Sequence, residues 1–196
     1  MAGVRLGLLG GTFDPPHLGH LVAAQEAAAQ LDLARVLFLP ARQNPLKQDE
    51  QVSPAHDRCR MVELAIADNP RFELSRLDLD RPPPSYTVDL LRTLAVMHPG
   101  AELFFLIGAD ILPELPRWHR LDEVTRLATL AAINRPGAPI LQEVPAGVRL
   151  LSVPGVAISS TELRARVQAG LPIRYLTPDP VVEYIYERRL YGRSGH

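Results

Sequence analysis

The sequence predicts an α/β fold: a doubly wound, mostly parallel sheet with helices on both faces and a small C-terminal helical portion. The main observation is that short apolar runs with strand character alternate with longer helical patterns along the chain. Such alternation favours parallel strands joined by right-handed crossovers. A length of 196 residues suits one domain with a substantial core. We therefore expect residues 1–196 to form a single domain.

Six apolar runs are expected to form the strands of this sheet. They are Val4–Leu9, Val36–Leu39, Phe72–Leu77, Leu103–Ile107, Leu130–Ile133 and Val148–Val153. Helices are expected at about Gly19–Leu31, after Ser53-Pro54, at Tyr86–Met97 and within Val156–Val167. Residues 136–147 are rich in Pro and Gly and are typical of a flexible connection. Ligands of doubly wound sheets bind beyond the carboxyl ends of the strands, so a site is expected in the loops that follow strands.

The composition excludes several classes of protein. A net charge of -1 gives no basic field for a long nucleic acid, although a small anionic ligand of nucleotide type fits. The one cysteine, Cys59, excludes an intrachain disulfide and a Cys-rich metal site, and we expect it to be buried. The apolar stretch Val4–Leu9 is too short for a membrane span or a signal peptide. We expect a cytoplasmic protein without a membrane or nucleic-acid partner, and the sequence leaves open a homo-oligomer.

Residues 6–20, LGLLGGTFDPPHLGH, end an apolar run in two glycines, two prolines and two histidines. Gly10 and Gly11 would let the backbone turn off the strand and approach a ligand closely. Asp14-Pro15-Pro16 would stiffen the turn because proline fixes φ, and we expect a turn or capping role for Asp14. An ordinary tight turn is the alternative, since the Rossmann pattern GxGxxG is absent.

His17 and His20 stand three residues apart at the start of a helix, so both rings can project on one side of its N-terminal end. Backbone amides and the helix dipole favour an anion there, and two imidazole donors beside them make a phosphate site. A pair of structural histidines is the alternative. Zinc is disfavoured because it would need a third ligand, and the other histidines show no supporting spacing.

A second helix start lies in VAISSTELRARV, residues 156–167. The spacing of Ser159 and Glu162 is that of a capping box, which leaves hydroxyls and amides at the helix N-terminus. Arg164 follows Ser160 by four residues and shares its face. Alone, this is a well-capped helix with a solvated arginine; placed opposite the two histidines, it would clamp the far phosphates of a nucleoside triphosphate.

These two stretches together resemble the two signature motifs of the nucleotidylyltransferases related to class I aminoacyl-tRNA synthetases. Within that superfamily the chain is similar to the bacterial nicotinate-nucleotide adenylyltransferase family, whose fold is Rossmann-like. The likeness continues through PSYT at 84–87, IGAD at 107–110, LPRW at 115–118, NRPG at 134–137 and the ending Leu190-Tyr191. Matches in this order cover nearly the whole chain, which makes them more specific than any one motif.

The resemblance implies transfer of AMP from ATP to nicotinate mononucleotide, which yields nicotinate adenine dinucleotide and pyrophosphate in NAD synthesis. It implies catalytic roles for His17, His20, Lys47 and Arg164. The implied ATP-binding residues are Gly10, Gly11, Thr12, Phe13, Gly108, Asp110, Arg135, Ile158, Ser159, Ser160 and Thr161. The implied residues for nicotinate mononucleotide are Asn44, Ser85, Tyr86, Thr87 and Trp118.

Four of these residues have a plainer alternative role. Asp110 could cap a helix, Trp118 could belong to the core, and Ser85 in PSYT could belong to an N-cap. Lys47, the only lysine, could be a solvated loop residue. The loop around it departs from the family, in which Pro-Pro-His-Lys is common, because here it reads Asn44-Pro45-Leu46-Lys47; a role for that histidine does not transfer.

The implied chemistry fits these residue types. A phosphate monoester has a second pKa of about 6 and is mostly dianionic near pH 7, so no strong general base is needed. The reaction needs two anions brought into line and the developing charge stabilised, which imidazoles, an ammonium, a guanidinium and helix amides can do. We expect Mg²⁺ to arrive on the β- and γ-phosphates of ATP, since no carboxylate cluster offers a protein site.

Three other functions compete with this one. A preference for nicotinamide mononucleotide is the nearest. Phosphopantetheine adenylyltransferases share the first motif but typically carry Thr where His17 stands, and their chains are shorter. A catalytically silent nucleotide-binding module would be expected to lack some of His17, His20, Lys47 and Arg164. A tRNA synthetase is excluded by the short chain and the absence of a Lys-rich second signature.

Overall fold

The computed structural model describes residues 3–42, 52–134, 144–155 and 157–192. Within them, six strands form one sheet in the order β3-β2-β1-β4-β5-β6, and every pairing is parallel. The strands are β1 (Arg5–Gly11), β2 (Arg35–Pro40), β3 (Phe72–Leu74), β4 (Glu102–Gly108), β5 (Thr129–Asn134) and β6 (Val148–Ser152). The predicted doubly wound sheet is confirmed. Its order reverses between β1 and β4, which is where such folds bind ligands.

The helices cover both faces of this sheet. They are α1 (Leu18–Gln30), α2 (Ala55–Ile66), α3 (Leu77–Asp80), α4 (Thr87–Met97), α5 (Leu121–Leu127), α6 (Ser160–Gln168) and α7 (Asp179–Glu187). A 3-10 helix, Ala109–Arg117, follows β4. The helices expected near Gly19, after Ser53-Pro54, from Tyr86 and after Ser159 are all present. The 3-10 helix, α3 and α5 had no counterpart in the sequence-based prediction.

The strand expected at Phe72–Leu77 is shorter than predicted. It ends at Leu74, and Leu77 opens α3 instead. The apolar alternation that suggested a longer strand has a different origin, because Leu77 packs against the core from the short helix. The connection predicted at residues 136–147 falls largely outside the described residues.

Two apolar cores lie on opposite faces of the sheet, because successive strand residues point to opposite sides. In β4, Phe104 and Leu106 pack on the face covered by α1, α2, α6 and α7, whereas Phe105 and Ile107 pack on the face covered by α4, α5 and the 3-10 helix. Burial on both faces explains why the inner strands β1, β2, β4 and β5 are mostly apolar, whereas the edge strands β3 and β6 are partly exposed and carry polar residues. Cys59 is buried, as expected. In the part of the chain that is described, no helix is long and apolar enough to cross a bilayer.

Candidate active site

The loop from β1 to α1 begins at the switch point of the sheet. Gly10 and Gly11 belong to β1, so the prediction that these glycines make the turn is wrong; the left-handed residue is Phe13, at φ 52°. A Cβ on Gly11 would stand 3.0 Å from Cζ of the buried Phe13 ring, so Gly11 makes room for that ring. A Cβ on Gly10 would meet only Phe105, at 3.6 Å. Gly10 is exposed, which leaves the backbone open to a ligand there.

The two histidines lie together at the start of α1, as predicted. Their rings stack with centroids 3.7 Å apart and an interplanar angle of 30°. The backbone N–H of His17 donates to Nδ1 of His20 at 3.2 Å. Because Nδ1 accepts this bond, the ring proton of neutral His20 belongs on Nε2. The ring of Phe13 meets His20 edge-on at 5.0 Å, which holds the imidazole from a second side.

One of the N-terminal amides of α1, which were expected to bind an anion, already has an acceptor within the protein. The N–H of Leu18 donates to the carbonyl of Leu176 at 3.0 Å, so a protein group takes the first of these donors. The neighbouring Thr177 is buried and donates through Oγ1 to the carbonyl of Pro16 at 2.8 Å. Leu176 and Thr177, which precede α7, therefore hold the loop between β1 and α1 in place. Nothing in the sequence motifs indicated these two contacts, which join residues about 160 positions apart.

The two signature stretches are in direct contact at this loop. Oγ of Ser160 donates to the carbonyl of Pro15 at 2.9 Å, and Nη1 of Arg164 donates to the carbonyl of Asp14 at 2.7 Å. Nη2 of Arg164 also donates to Oγ1 of Thr161 at 3.3 Å. A guanidinium has five N–H donors, so these bonds do not exhaust it.

The start of α6 is capped as predicted: Oγ of Ser159 accepts the N–H of Glu162 at 3.1 Å. Ser159 and Thr161 are exposed, whereas the side chain of Ile158 is buried in the core. Ile158 can therefore reach a ligand only through its backbone. The N-terminus of α6 and that of α1 border the same loop, and both helix dipoles favour an anion at that end.

Asp14 has a structural role, but its side chain binds distant segments and does not make the turn or cap that was expected. Its carboxylate is 1% exposed; Oδ2 accepts the N–H of Ser53 at 2.9 Å and Oδ1 accepts the hydroxyl of Tyr191 at 2.5 Å. Burial raises the pKa of Tyr191 well above its ordinary value, and the charge of Asp14 raises it further, so the hydroxyl stays protonated.

Arg58 is the charged residue that sequence reasoning missed at this site. It is 2% exposed and donates to the carbonyls of Ser53, Thr12 and Ala41 at 3.1, 2.8 and 2.9 Å. Burial lowers the pKa of its guanidinium, and the nearby Asp14 opposes that shift. An arginine in the middle of an ordinary helix pattern gives no sequence signal for this role, because its acceptors lie on two separate connections: Thr12 after β1, and Ala41 and Ser53 between β2 and α2.

The carboxyl end of β4 presents Gly108 and Asp110 beside the end of β1. The carboxylate of Asp110 folds back over Gly108 and fills the space that a Cβ on Gly108 would need. Asp110 is exposed and stands in the first turn of the 3-10 helix. Asp110 therefore has an open position near the switch point, and its role toward ATP stays a prediction from the resemblance.

The start of α4 lies near the end of the 3-10 helix. Tyr86 stands at the N-cap position of α4 without a side-chain capping bond, and its ring packs against His119 with centroids 4.4 Å apart. The next residue back along the chain, Trp118, is half-buried and meets Phe105 edge-on at 6.0 Å, so it is partly a core residue. The hydroxyl of Ser85 donates to Asp78 in a short hydrogen bond. His119, which sequence reasoning considered only as a zinc ligand, is thus an aromatic neighbour of PSYT.

Three residues of the predicted site lie outside the described part of the chain. They are Asn44, Lys47 and Arg135. Their roles stay predictions from the resemblance, as does the consequence of Leu46 in place of the histidine common in the family.

Comparison with known proteins decides the family. The profile of the cytidylyltransferase-like family matches residues 8–166. A probable nicotinate-nucleotide adenylyltransferase of Geobacillus thermodenitrificans is 50% identical over 188 residues, covering 96% of this chain and 86% of the relative. One from Saccharopolyspora erythraea is 51% identical, covering 95% of this chain and 89% of the relative.

The chain belongs to the nicotinate-nucleotide adenylyltransferase family. It is thereby a nucleotidyltransferase. Solved structures share the family's fold at low identity. The Plasmodium falciparum nicotinic acid mononucleotide adenylyltransferase, solved with NaAD, superposes with a TM-score of 0.77 at 19% identity, over 96% of this chain and 97% of that one. A putative nicotinate-nucleotide adenylyltransferase from Vibrio parahaemolyticus gives 0.70 at 21% identity, over 96% and 95%.

Proposed function

We propose that this chain transfers the adenylyl group of ATP directly to nicotinate mononucleotide, releasing pyrophosphate and forming nicotinate adenine dinucleotide. The observation that carries the proposal is the contact between the two signature motifs. Ser160 and Arg164 of α6 hold the carbonyls of Pro15 and Asp14, two to three residues before His17. Two helix N-termini and two imidazoles therefore border one point at the switch point of the sheet, which suits the phosphates of a nucleotide.

The reaction is a single displacement at the α-phosphorus of ATP. An oxygen of the mononucleotide phosphate forms the new bond to phosphorus. The bond from that phosphorus to the oxygen bridging to the β-phosphate breaks, and its electron pair leaves with pyrophosphate. Since the attacking phosphate is already mostly dianionic near pH 7, no residue needs to remove a proton. Catalysis consists of alignment and charge stabilisation.

His17 and His20 stabilise the charge that develops on the α-phosphate. With its Nδ1 engaged by the backbone of His17, His20 would donate from Nε2. Arg164, Ser159 and Thr161 lie at the start of α6 and would receive the leaving pyrophosphate, as donors do in other phosphoryl-transfer sites. From the resemblance we assign Lys47 to the reacting phosphate and Arg135 to the adenine side.

Mg²⁺ enters this reaction bound to ATP. In the described ranges, no group of three or more His, Cys, Asp or Glu side chains could hold a metal ion. A Mg²⁺ ion retains several waters and binds substrate phosphates readily. The ion would therefore bind the β- and γ-phosphates of ATP and would neutralise negative charge on the leaving pyrophosphate.

The pyridine end is assigned to the start of α4 and the end of the 3-10 helix. The first amides of α4, at Thr87 and Val88, lack an intrahelical acceptor by helix geometry. A carboxylate accepts hydrogen bonds only, so nicotinate fits these donors, whereas an amide would turn an N–H toward them. Trp118, together with Tyr86, offers aromatic surface for the pyridine ring. Asn44 is assigned to the same substrate from the resemblance.

The proposal places the reaction in the cytoplasm, because a single buried cysteine gives no sign of an oxidising compartment.

The test is turnover by the purified protein with ATP and Mg²⁺. We expect release of pyrophosphate with nicotinate mononucleotide, with the dinucleotide identified by mass. Nicotinamide mononucleotide, assayed in parallel, should show a lower kcat/KM. No turnover with either mononucleotide would refute the proposal, and ATP binding by calorimetry without turnover would identify a silent nucleotide-binding module instead. A higher kcat/KM for the amide would refute the assignment of the α4 donors.

A further inference from the structure

The C-terminal segment after α7 returns to the loop that carries the histidines. Tyr191, four residues beyond the end of α7 at Glu187, is partly buried. Its hydroxyl donates to Oδ1 of Asp14 at 2.5 Å, across 177 positions of sequence. The two groups thus join the end of the described chain to the first loop of the fold.

Asp14 connects this contact to the proposed site in two directions. Through its backbone carbonyl it accepts Nη1 of Arg164 at 2.7 Å. Through Oδ2 it accepts the N–H of Ser53 at 2.9 Å, just before α2 begins. A change at the Asp14 side chain therefore moves the backbone that Arg164 holds, and that backbone leads to His17 three residues later.

The Asp14 carboxylate depends on its donors because it is 1% exposed. A buried charge is costly unless hydrogen bonds and an opposite charge compensate it. Arg58 supplies the nearby positive charge, while Tyr191 and Ser53 supply the hydrogen bonds given above. Removing the Tyr191 hydroxyl would take this hydrogen bond from Oδ1 of Asp14. We expect the loop that carries Asp14 to move so that the oxygen gains another donor.

We propose that Tyr191 is a positioning residue of the adenylyl transfer, acting through Asp14 on the loop that presents His17 and meets Arg164. The inference rests on the proposed function for its kinetic readout. Tyr191 itself touches no reacting atom. Its hydroxyl fixes the Asp14 carboxylate, and Asp14 fixes the distance between the loop and α6.

The chain contains a matched control for this contact. The hydroxyl of Tyr184, seven residues earlier, donates to Oδ1 of Asp57 at 2.7 Å, and Asp57 is 3% exposed. This is the same chemical bond between a tyrosine and a buried carboxylate. It joins α7 to α2, however, and not to the loop that carries His17. Loss of either hydroxyl removes one hydrogen bond to a buried carboxylate, but only the bond to Asp14 reaches the proposed site; the Tyr191 hydroxyl also contacts Sδ of Met61 at 3.8 Å.

The experiment compares Tyr191→Phe with Tyr184→Phe in the full chain. We expect both variants to unfold at similarly lowered temperatures. Tyr191→Phe should lower kcat about tenfold, a factor that about 1.4 kcal/mol of lost transition-state stabilisation produces, with the KM for nicotinate mononucleotide unchanged. Tyr184→Phe should keep the kcat of the wild type. Equal kcat values for the two variants, after correction for the folded fraction, would overturn the inference.

A second measurement does not depend on turnover. The imidazole resonances of His17 and His20 in the ligand-free protein should shift in Tyr191→Phe and stay in place in Tyr184→Phe. Unshifted resonances in Tyr191→Phe would overturn the inference even if the wild type proved inactive. An inactive wild type with shifted resonances would refute the proposed function alone.

A double-mutant cycle identifies the route. In an Asp14→Ala background, Tyr191→Phe should have little further effect on kcat, because both side-chain oxygens through which Tyr191 acts are gone. Additive effects would overturn the assignment of Asp14 as the intermediary.

Discussion

Replacing Arg58 should destabilise the fold far more than replacing any surface arginine of the same helix. Arg58→Met removes a 2% exposed guanidinium that donates to three carbonyls on two loops, one after β1 and one between β2 and α2. A buried acceptor left without its donor costs about 1–3 kcal/mol. Ser53, Thr12 and Ala41 are only partly buried, so water can reach some of these carbonyls and about 1 kcal/mol each is the better figure.

The Asp14 charge adds to this cost, because it would lose the guanidinium that lies near it. Breaking a buried charge pair costs about 3–5 kcal/mol in other proteins. The two estimates overlap, so we expect a total loss of about 4 kcal/mol in the free energy of unfolding. A loss of that size is a large fraction of the about 5–15 kcal/mol that stabilises a typical domain. It corresponds to a Tm lowered by about 8–16 °C for a chain of this length.

The assay is urea unfolding followed by circular dichroism, with Arg60→Met as the control. Arg60 lies two residues further along α2, is largely exposed and pairs only with Glu63 at the surface. Its replacement should change the free energy of unfolding by less than about 0.5 kcal/mol. The loss of unfolding free energy in Arg58→Lys should lie between the losses in Arg58→Met and Arg60→Met. An ammonium keeps the positive charge but cannot donate to three carbonyls as the planar guanidinium does. A loss below about 1 kcal/mol in the free energy of unfolding of Arg58→Met would refute the idea that this residue ties the two loops together.

Three further predictions concern the site loop. His20→Ala should lower kcat by about 10²–10³, the effect of removing one transition-state donor, while Tm moves little; an unchanged kcat would remove His20 from the proposed mechanism. Gly11→Ala should lower the free energy of unfolding by about 1–3 kcal/mol, because the new Cβ would stand 3.0 Å from the Phe13 ring. In Gly10→Ala the new Cβ makes only an ordinary contact at 3.6 Å, so we expect a smaller loss. Equal thermal stability of these two variants would contradict this packing. The free energy of unfolding should fall as pH rises above about 10, because the unfolded state then loses the Tyr191 proton that the folded state retains. In Tyr191→Phe the free energy of unfolding should fall less steeply with pH. If urea titrations at pH 9–11 gave the same pH dependence for both proteins, the raised pKa of Tyr191 would not be the cause.

Much of the fold follows from local sequence, and the described structure shows why. Apolar runs such as Leu103–Ile107 are buried on both faces of a parallel sheet, so they read as strands without help from distant residues. Helix starts were equally local: Ser159 caps α6 through a bond to Glu162 three residues on. The end of β3 was misjudged because an apolar residue at Leu77 serves a strand pattern and a short helix equally well.

The histidine pair and the contact between the two signature stretches could also be expected from the sequence. Both depend on helix starts and on the rule that ligands bind at the carboxyl edge of the sheet. What could not be expected is the support behind them. Arg58, Thr177 and Tyr191 contact Thr12, Pro16 and Asp14 across 46, 161 and 177 positions, and no spacing rule relates such residues before the chain is folded.

The roles of the glycines show the same limit. Gly11 reads as a turn residue or a phosphate contact, yet in the structure it lies in β1 and makes space for the Phe13 ring. The sequence does not show which neighbour would clash with a Cβ. For Gly11 that neighbour is the ring of Phe13, and only the folded structure shows it.

The stereochemical course of the reaction tests the central claim most directly. With nicotinate mononucleotide, Mg²⁺ and a single diastereomer of ATP that carries sulfur on the α-phosphorus, one direct displacement predicts inversion at that phosphorus in the dinucleotide product. Retention would indicate a covalent adenylyl-enzyme and contradict the proposed roles of His17 and His20, and absence of any product from ATP itself would contradict the proposed function.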